Sequence, residues 1–219
     1  MKAIFFGSIG SIVETSELQL KAFNEAFKVC GLDWVWELVD YKKMLLKAGG
    51  AKRIKGFASA NQDALSDDQI AEIHKKKTDL FERYLLDQKL EPREGVIDLL
   101  ARCQEKDIRL AWVTTTPQQN IDSIKAALAP QIDFSIFSFT TSLEDVEFSK
   151  PSGEIYDFAL RKMAVPASEV LVIEDSESGL NAALEADLNC IAFPGLLKLE
   201  QDYSGATDCL TSLGDLVLD

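Results

Sequence analysis

Several short segments of this sequence place hydroxyl, amine and carboxyl groups directly after apolar runs. Threonines occupy positions 114–116, Lys150 precedes a proline, and Glu174 and Asp175 are adjacent. A carboxylate pair suits Mg²⁺, which prefers one or two carboxylates together with water and phosphate oxygens. A hydroxyl and an ammonium group suit phosphoryl oxygens. Each signal is weak alone, since Glu174 and Asp175 would equally cap a helix beginning near Ser176.

The elements that must position these residues form an α/β pattern. Five apolar runs predict buried parallel strands: Ala3–Phe6, Leu110–Val113, Phe134–Phe139, Val170–Ile173 and Cys190–Phe193. Helical patterns alternate with the last four, which predicts a Rossmann-like parallel sheet with helices on both faces. Sites in such sheets form where strands end. The residues named above should therefore converge with the loop at 7–11, which reads Gly-Ser-Ile-Gly-Ser.

Residues 14–91 do not continue the alternation of strands and helices, and their pattern predicts an inserted helical domain. Apolar residues recur at helical spacing from Leu18 to Cys30, and a long helix is expected from about Asp67 to Leu86. Three large aromatic residues lie between these helices, at Trp34, Trp36 and Tyr41, and we expect them to pack between the helices. We predict two domains, a sheet domain of residues 1–13 and 92–219 and a helical domain of residues 14–91.

Composition excludes several classes of function. The chain has 219 residues, with 36 acidic and 23 basic side chains and a net charge of −13. This balance argues against nucleic acid and against anionic membrane surfaces. The first apolar stretch is too short for a signal peptide or a membrane span, so a cytoplasmic location is expected. The four cysteines form no CxxC pair. The chain has a single histidine, His74, and this count excludes histidine triads. His74 lies in a polar helical stretch and is expected to be solvated.

The order and spacing of these segments resemble those of the haloacid dehalogenase superfamily. The similarity is closest to its sugar-phosphate phosphatases of the CbbY and beta-phosphoglucomutase type. The segments that carry the resemblance are Glu14–Leu18, Ala22–Phe27, Gly31–Trp34, Gly49–Gly50, Arg53–Ile54, Leu110–Thr116, Lys150–Pro151 with Ile155–Tyr156, and Ile173–Ser176 with Gly179–Leu180 and Ala182–Ala183. A dinucleotide-binding fingerprint is not met, because Ile9 and Ile12 occupy two of its glycine positions.

The resemblance implies a role for each candidate residue. Thr114 would hold the phosphoryl group, and Lys150 would offset the charge of nucleophile and phosphate. Thr115 and Ser11 would also bind phosphate. Glu174 and Asp175 would hold Mg²⁺. The helical insert would be a cap that closes over substrate, with Arg53 and Gln19 on the substrate side.

The first motif departs from this family at both reactive positions. The family has Asp-x-Asp-Gly-Thr after the first strand, where the first aspartate is the nucleophile and the second the general acid/base. Here Gly7 and Ile9 stand at these positions, and only Gly10 and the Ser11 hydroxyl are retained in kind. Losing both groups removes the phosphoaspartyl route. Ser8 would need a base within hydrogen-bond reach, and its own loop has none.

This substitution also changes the charge of the site. The remaining Glu174, Asp175 and Lys150 sum to −1, whereas an intact motif set would sum to −3. A direct lysine–carboxylate pair could satisfy such a site, so we predict that Mg²⁺ binding is weak or absent.

Three functions remain open at this point. In the first, the chain is a non-catalytic relative that binds a phosphorylated small molecule or a protein. In the second, it is an active magnesium-dependent phosphoester hydrolase that uses a non-standard route. In the third, it retains only a protein contact. The resemblance implies that the chain is related to hydrolases. The residues at positions 7 and 9 predict that it does not carry out phosphoaspartyl catalysis. The sequence names no protein partner.

Overall fold

The computed structural model describes residues 1–46 and 49–218. This part of the chain forms two compact units. One unit consists of Met1–Glu14 together with the chain from Leu90 onward, and the other of Thr15–Lys89. Within the described ranges, no helix is long and apolar enough to cross a membrane.

The first unit is built on a six-stranded parallel sheet with the strand order β3-β2-β1-β4-β5-β6. The strands are β1 (Ala3–Phe6), β2 (Arg109–Trp112), β3 (Phe137–Thr140), β4 (Val170–Glu174), β5 (Asn189–Ala192) and β6 (Asp208–Cys209). The helices of the whole described chain are α1 (Ser16–Val29), α2 (Leu38–Met44), α3 (Gly50–Ala60), α4 (Asp67–Asp87), α5 (Val96–Glu105), α6 (Gln118–Leu128), α7 (Glu154–Met163) and α8 (Glu177–Glu185). The predicted Rossmann-like α/β class is confirmed.

The central position of β1 explains its apolar sequence. This strand pairs with β2 on one side and β4 on the other, so that Ala3 is aligned with both Arg109 and Val170. All four β1 residues are fully buried. A strand covered on both faces and paired at both edges has no side that tolerates polar residues, which produces a continuous apolar run.

Two details of the sheet differ from the sequence prediction. Residues Phe134–Ile136 form a 3₁₀ turn rather than the start of a strand, because the Asp133 carboxylate accepts a hydrogen bond from the Ser135 backbone N–H and caps the turn. The sixth strand, β6, has only two residues, and both are exposed. A short, exposed edge strand produces no apolar run, so the sequence pattern did not reveal it.

The start of α8 decides between two readings of the adjacent carboxylates. The Ser176 hydroxyl is the N-cap of this helix and accepts a hydrogen bond from the Gly179 N–H at 3.2 Å. Because the serine fills this role, Glu174 and Asp175 are not the caps of α8.

The second unit contains α1 to α4, and no strand occurs in its described residues. Its core is aromatic: the Trp36 ring lies 4.6 Å from Phe23 and 4.8 Å from Phe27, measured between ring centroids. Trp36 and Tyr41 are each 1% exposed. These aromatic residues therefore pack the helices together, as expected, and do not form an exposed recognition surface.

Candidate functional site

The predicted site residues converge at the carboxyl ends of three adjacent strands. Gly7 and Ser8 follow β1, Thr114 lies two residues beyond β2, and Glu174 and Asp175 mark the end of β4. Since β1 lies between β2 and β4, this sheet order brings all three strand ends together.

Glu174 is the centre of this site, and both oxygens of its carboxylate have protein partners. The side chain is fully buried. Oε1 accepts hydrogen bonds from Lys150 Nζ and from the Tyr156 hydroxyl, both at 2.6 Å. Oε2 accepts from Ser8 Oγ at 2.9 Å and from the Asp175 backbone N–H at 3.2 Å. Three donors, together with a Ser8 proton that is shared with Asp175, therefore stabilise one buried carboxylate.

The Lys150 ammonium group likewise has all its donors directed at other groups of the protein. It forms the ion pair with Glu174 and also donates to the backbone oxygens of Gly7 at 3.0 Å and Val113 at 2.9 Å. The Tyr156 hydroxyl lies 3.2 Å from the same nitrogen. An ammonium has three donors, and four acceptors surround this one. Lys150 therefore has no donor left for a phosphate group in this arrangement.

Asp175 is held by a residue that the sequence analysis missed. Its Oδ2 forms an ion pair with Lys198, and its Oδ1 accepts a hydrogen bond from the Ser8 hydroxyl. Burial by itself raises the pKa of the Asp175 carboxyl, but the ion pair with Lys198 and the bond from Ser8 outweigh burial and hold this pKa below its ordinary value.

The position of Lys198 corrects the charge predicted for the site. Lys198 lies six residues beyond the end of β5, the neighbour of β4 in the sheet. That location was the available signal, because the loop after β5 begins at the same edge of the sheet as Asp175. With two carboxylates and two lysines the net charge is zero, not the −1 obtained when Lys198 is left out.

The space beside Gly7 is filled by the Glu174 carboxyl group. A Cβ atom on residue 7 would lie 2.2 Å from both Cδ and Oε1 of Glu174 and 2.5 Å from the Tyr156 hydroxyl. A Cβ on Gly179 would lie 2.1 Å from the same Cδ. The carboxyl group thus lies in a cradle between two glycines. Likewise, a Cβ on Gly10 would lie 1.8 Å from Asp175 Oδ2.

Two of the three remaining phosphate-ligand candidates also have protein partners. Ser11 is fully buried, and its hydroxyl donates to the Ser8 backbone oxygen at 2.7 Å. The Thr114 hydroxyl, in a residue that is 1% exposed, donates to Thr116 Oγ1 at 2.9 Å. Thr115 is half-buried. The structure brings these residues to the site, but it uses Ser11 and Thr114 to hold the loops. Ile9 is half-buried in the 3₁₀ turn Ile9–Ser11.

Ser8 has carboxylates within reach, which its own loop does not supply. Both acceptors of its hydroxyl, Glu174 and Asp175, come from the end of β4. A nucleophilic serine needs a base that can take its proton. Each of these carboxylates is paired with a lysine, and the pKa of Asp175 is lowered. Asp175 is therefore a weak base, and the Ser8 hydroxyl acts here as a hydrogen-bond donor shared between the two carboxylates.

The donor set does not fit a divalent cation in this arrangement. Mg²⁺ binds carboxylate groups whose negative charge is not already neutralised by a closely paired ammonium group. The oxygens of Glu174 and Asp175 already accept hydrogen bonds, and each carboxylate is paired with an ammonium group. Within residues 1–46 and 49–218, no group of three or more histidine, cysteine, aspartate or glutamate side chains could hold a metal ion.

The helical unit contains a second concentration of predicted residues. Gln19 Oε1 accepts a hydrogen bond from Lys77, and Arg53 Nε donates to the Met44 backbone oxygen at 3.0 Å. Burial lowers the pKa of the Arg53 guanidinium. Lys77 is only 4% exposed, and its ammonium nitrogen lies 5.0 Å from the Phe23 ring centroid.

Lys77 and His74 are the functional candidates in this unit that the sequence analysis did not identify. Burial and the nearby Arg53 charge lower the pKa of Lys77 to about 7. His74, expected to be solvated, is half-buried, and burial followed by the charges of Lys77 and Arg53 lowers its pKa to about 4. A Cβ on Gly50 would lie 2.5 Å from His74 Nε2, so this glycine makes room for the ring.

Comparison with known proteins identifies relatives of this arrangement. The family model described as haloacid dehalogenase-like hydrolase matches residues 10–193. This match begins after Gly7 and Ile9. The protein CbbY of Cereibacter sphaeroides is 35% identical over 216 residues, which cover 99% of this chain and 94% of CbbY. A phosphorylated carbohydrates phosphatase of Thermotoga maritima is 26% identical, with coverage of 87% and 84%.

Solved structures give the same grouping. A crystal structure of a CbbY mutant from Rhodobacter sphaeroides in complex with xylulose-(1,5)bisphosphate has a TM-score of 0.91 and 35% identity, covering 99% of this chain and 96% of that one. CbbY in complex with phosphate has a TM-score of 0.90, also at 35% identity, with coverage of 98% and 96%. With this extent of family match and of identity to CbbY, the chain belongs to the haloacid dehalogenase-like hydrolase family and resembles its CbbY and sugar-phosphate phosphatase group.

Proposed function

We propose that this chain binds a phosphorylated small molecule and does not hydrolyse it. The observation that carries the proposal is the contact at Gly7, where any side chain would begin 2.2 Å from the Glu174 carboxyl group. No nucleophile stands at position 7, and its place is taken by a carboxylate bound to Lys150. With Ile9 at the acid/base position, neither step of phosphoaspartyl catalysis has a residue to perform it.

A non-standard hydrolytic route through Ser8 is the alternative, and the electrostatics of the site disfavour it. General-base catalysis is most efficient when the pKa of the base is near the working pH. The pKa of Asp175 is below its ordinary value, and the Lys198 ion pair would be broken if this carboxylate took a proton. Ser8 would therefore keep its proton.

The proposed binding function is supported by the basic residues of the helical unit. Arg53, His74 and Lys77 interact electrostatically, and in the described part of the chain no carboxylate forms an ion pair with Lys77. An anionic group beside them would relieve the cost of burying positive charge. The CbbY structures with xylulose bisphosphate and with phosphate make a phosphorylated sugar the class to test first.

The proposal includes the domain roles and the compartment. We assign the helical unit as the cap domain and the sheet unit as the core of the fold. The four cysteines are free thiols, which supports a reducing cytoplasm as the compartment. No nucleic acid is proposed as a partner, because the chain carries a net charge of −13.

Isothermal titration calorimetry with sugar mono- and bisphosphates tests this function. We expect saturable binding by the wild-type protein without release of phosphate. Lys77→Met should weaken binding about tenfold or more, because it removes a charge-assisted contact. Lys76→Met is the matched control, since Lys76 precedes Lys77 in α4 and is exposed.

Two results would contradict the proposal. Multiple turnovers with any of these compounds would establish the hydrolase alternative. The absence of binding to every compound, in a protein that is folded by circular dichroism, would favour a role confined to protein contacts.

A further inference from the structure

Lys198 is positioned by its loop and is not a freely moving surface lysine. Its backbone N–H donates to the Gly195 oxygen at 2.8 Å, and the Gly195 N–H donates to the Asp175 backbone oxygen at 3.1 Å. The Tyr203 hydroxyl lies 2.9 Å from the Asp175 oxygen and 3.2 Å from the Lys198 oxygen. The Lys198 side chain is 15% exposed in its ion pair with Asp175. The backbone of the loop thus fixes the ammonium group at this carboxylate.

Neither of the other cations near Asp175 is free to replace Lys198. Lys150 is bound to Glu174 and to the backbone oxygens of Gly7 and Val113. Arg93 donates to the backbone oxygens of Gly10 and Phe193 at 2.6 and 2.7 Å. Without Lys198, the direct donor to the Asp175 carboxylate would be the uncharged Ser8 hydroxyl. A buried carboxylate in that state has a strong electrostatic demand for a cation.

We propose that the Lys198 ammonium is a built-in cation that takes the place of a divalent metal ion at the Asp175 carboxylate. With Lys150 on Glu174 and Lys198 on Asp175, the two β4 carboxylates are neutralised by the chain itself. A divalent ion would have to displace an ammonium group that the loop holds in place. The site therefore keeps its loops in order without metal, and its affinity for a ligand does not depend on Mg²⁺.

This inference rests on the proposed function, since it concerns the same core. Its test uses the metal ion alone, so the two can fail separately. Titration with Mn²⁺, followed through the electron paramagnetic resonance signal of the free ion, measures binding without ligand or turnover. The wild-type protein should show no saturable site in the sub-millimolar range. Lys198→Met should bind Mn²⁺ at least about tenfold more tightly, because one positive charge has been removed next to two carboxylates.

Three variants control for other causes of metal binding. Lys76→Met removes the same charge from an exposed position in α4 and should behave as the wild type. Lys198→Arg keeps the charge and should also behave as the wild type. Asp175→Asn in the Lys198→Met background should abolish the new binding, which assigns it to this carboxylate.

The proposal fails if the wild-type protein binds Mn²⁺ at sub-millimolar concentration, or if folded Lys198→Met binds it no more tightly than the wild type. If Lys198→Met does not fold by itself, millimolar Mn²⁺ should restore cooperative thermal unfolding. A variant that stays unfolded at every Mn²⁺ concentration would count against the built-in cation.

Discussion

At the residue scale, the absence of a side chain at Gly7 is coupled to the position of the Glu174 carboxyl group. Gly7 leaves a space next to β4, and the Glu174 carboxyl group fills it. Lys150 and Tyr156 then hold the carboxyl group in that position with two bonds of 2.6 Å. The glycine is therefore part of a packed, hydrogen-bonded arrangement and does not leave an unused gap.

Gly7→Ala should destabilise the protein, because the added methyl group would displace Glu174 from its hydrogen-bond donors. We expect the free energy of unfolding to fall by about 1 to 3 kcal/mol, the cost of disturbing a buried polar network. Urea denaturation measures this change. Gly56→Ala in α3 is the matched control: a Cβ there meets no atom within 4 Å, and alanine should stabilise the helix by about 0.5 to 1 kcal/mol. Equal effects of the two substitutions would contradict the packing account.

Restoring both acids should not by itself restore a phosphatase. In Gly7→Asp/Ile9→Asp the new side chain at position 7 competes with Glu174 for the same space. Lys198 still forms its ion pair with Asp175. We expect phosphate release to remain at the level without protein. Turnover that appears in this double variant would show that Glu174 and Lys198 yield readily to the restored acids.

At the element scale, Arg93 links the loops that follow β1 and β5. The guanidinium donates to the backbone oxygens of Gly10, Phe193 and Pro194, at 2.6, 2.7 and 2.7 Å, and lies 3.3 Å from the Phe193 ring centroid. One planar group with several donors satisfies three carbonyls at once, which lysine cannot do with the same geometry. Arg93 thus joins the loop after β1 to the loop after β5.

Arg93→Lys should therefore be costly although it keeps the charge. We expect a loss of about 2 to 4 kcal/mol in the free energy of unfolding, since backbone oxygens are left without their partner. Chemical denaturation gives the value, with Arg83→Lys on exposed α4 surface as the control that should change stability little. A near-neutral Arg93→Lys would show that the carbonyls find other donors.

In the helical unit, the buried Lys77 should make stability depend on pH. The pKa of Lys77 is lowered from 10.5 to about 7 in the folded protein. Between pH 7 and 10 the unfolded chain keeps the Lys77 proton that the folded protein has lost, so the free energy of unfolding should rise with pH. Below pH 7 Lys77 is protonated in both the folded and the unfolded state, so it makes no contribution to the pH dependence of the free energy of unfolding. His74 and Arg53 face the same cluster; His74 titrates near pH 4, outside this window.

The measurement compares the wild type with Lys77→Met by urea denaturation at several pH values between 6 and 10. The difference between their free energies of unfolding should shift in favour of the wild type as pH rises through 7. Parallel pH profiles for the two proteins would show that Lys77 keeps its proton in the folded state.

Much of the architecture could be predicted from the sequence because buried parallel strands produce apolar runs. The runs at Ala3–Phe6 and Val170–Ile173 correspond closely to β1 and β4. β6 could not be predicted, since its two residues are exposed and polar or small. The convergence of Ser8, Lys150 and Glu174 followed from sheet topology. The pairing of Lys198 with Asp175 did not, because a loop side chain's direction depends on tertiary hydrogen bonds.

At the scale of the whole molecule, the charge of −13 has little to do with the reaction centre. The site at the end of β4 is neutral, with two carboxylates and two lysines. The helical unit buries an arginine–histidine–lysine cluster within this acidic chain. The acidic surplus therefore lies outside both sets of candidate residues.

The central claim is that this family member has no phosphoaspartyl hydrolase activity. Phosphate release by the wild-type protein, from a panel of sugar mono- and bisphosphates with saturating Mg²⁺ and with a CbbY protein as positive control, tests it most directly. We expect no release above the rate without protein, for any compound on the panel. Multiple turnovers proportional to protein concentration would contradict it.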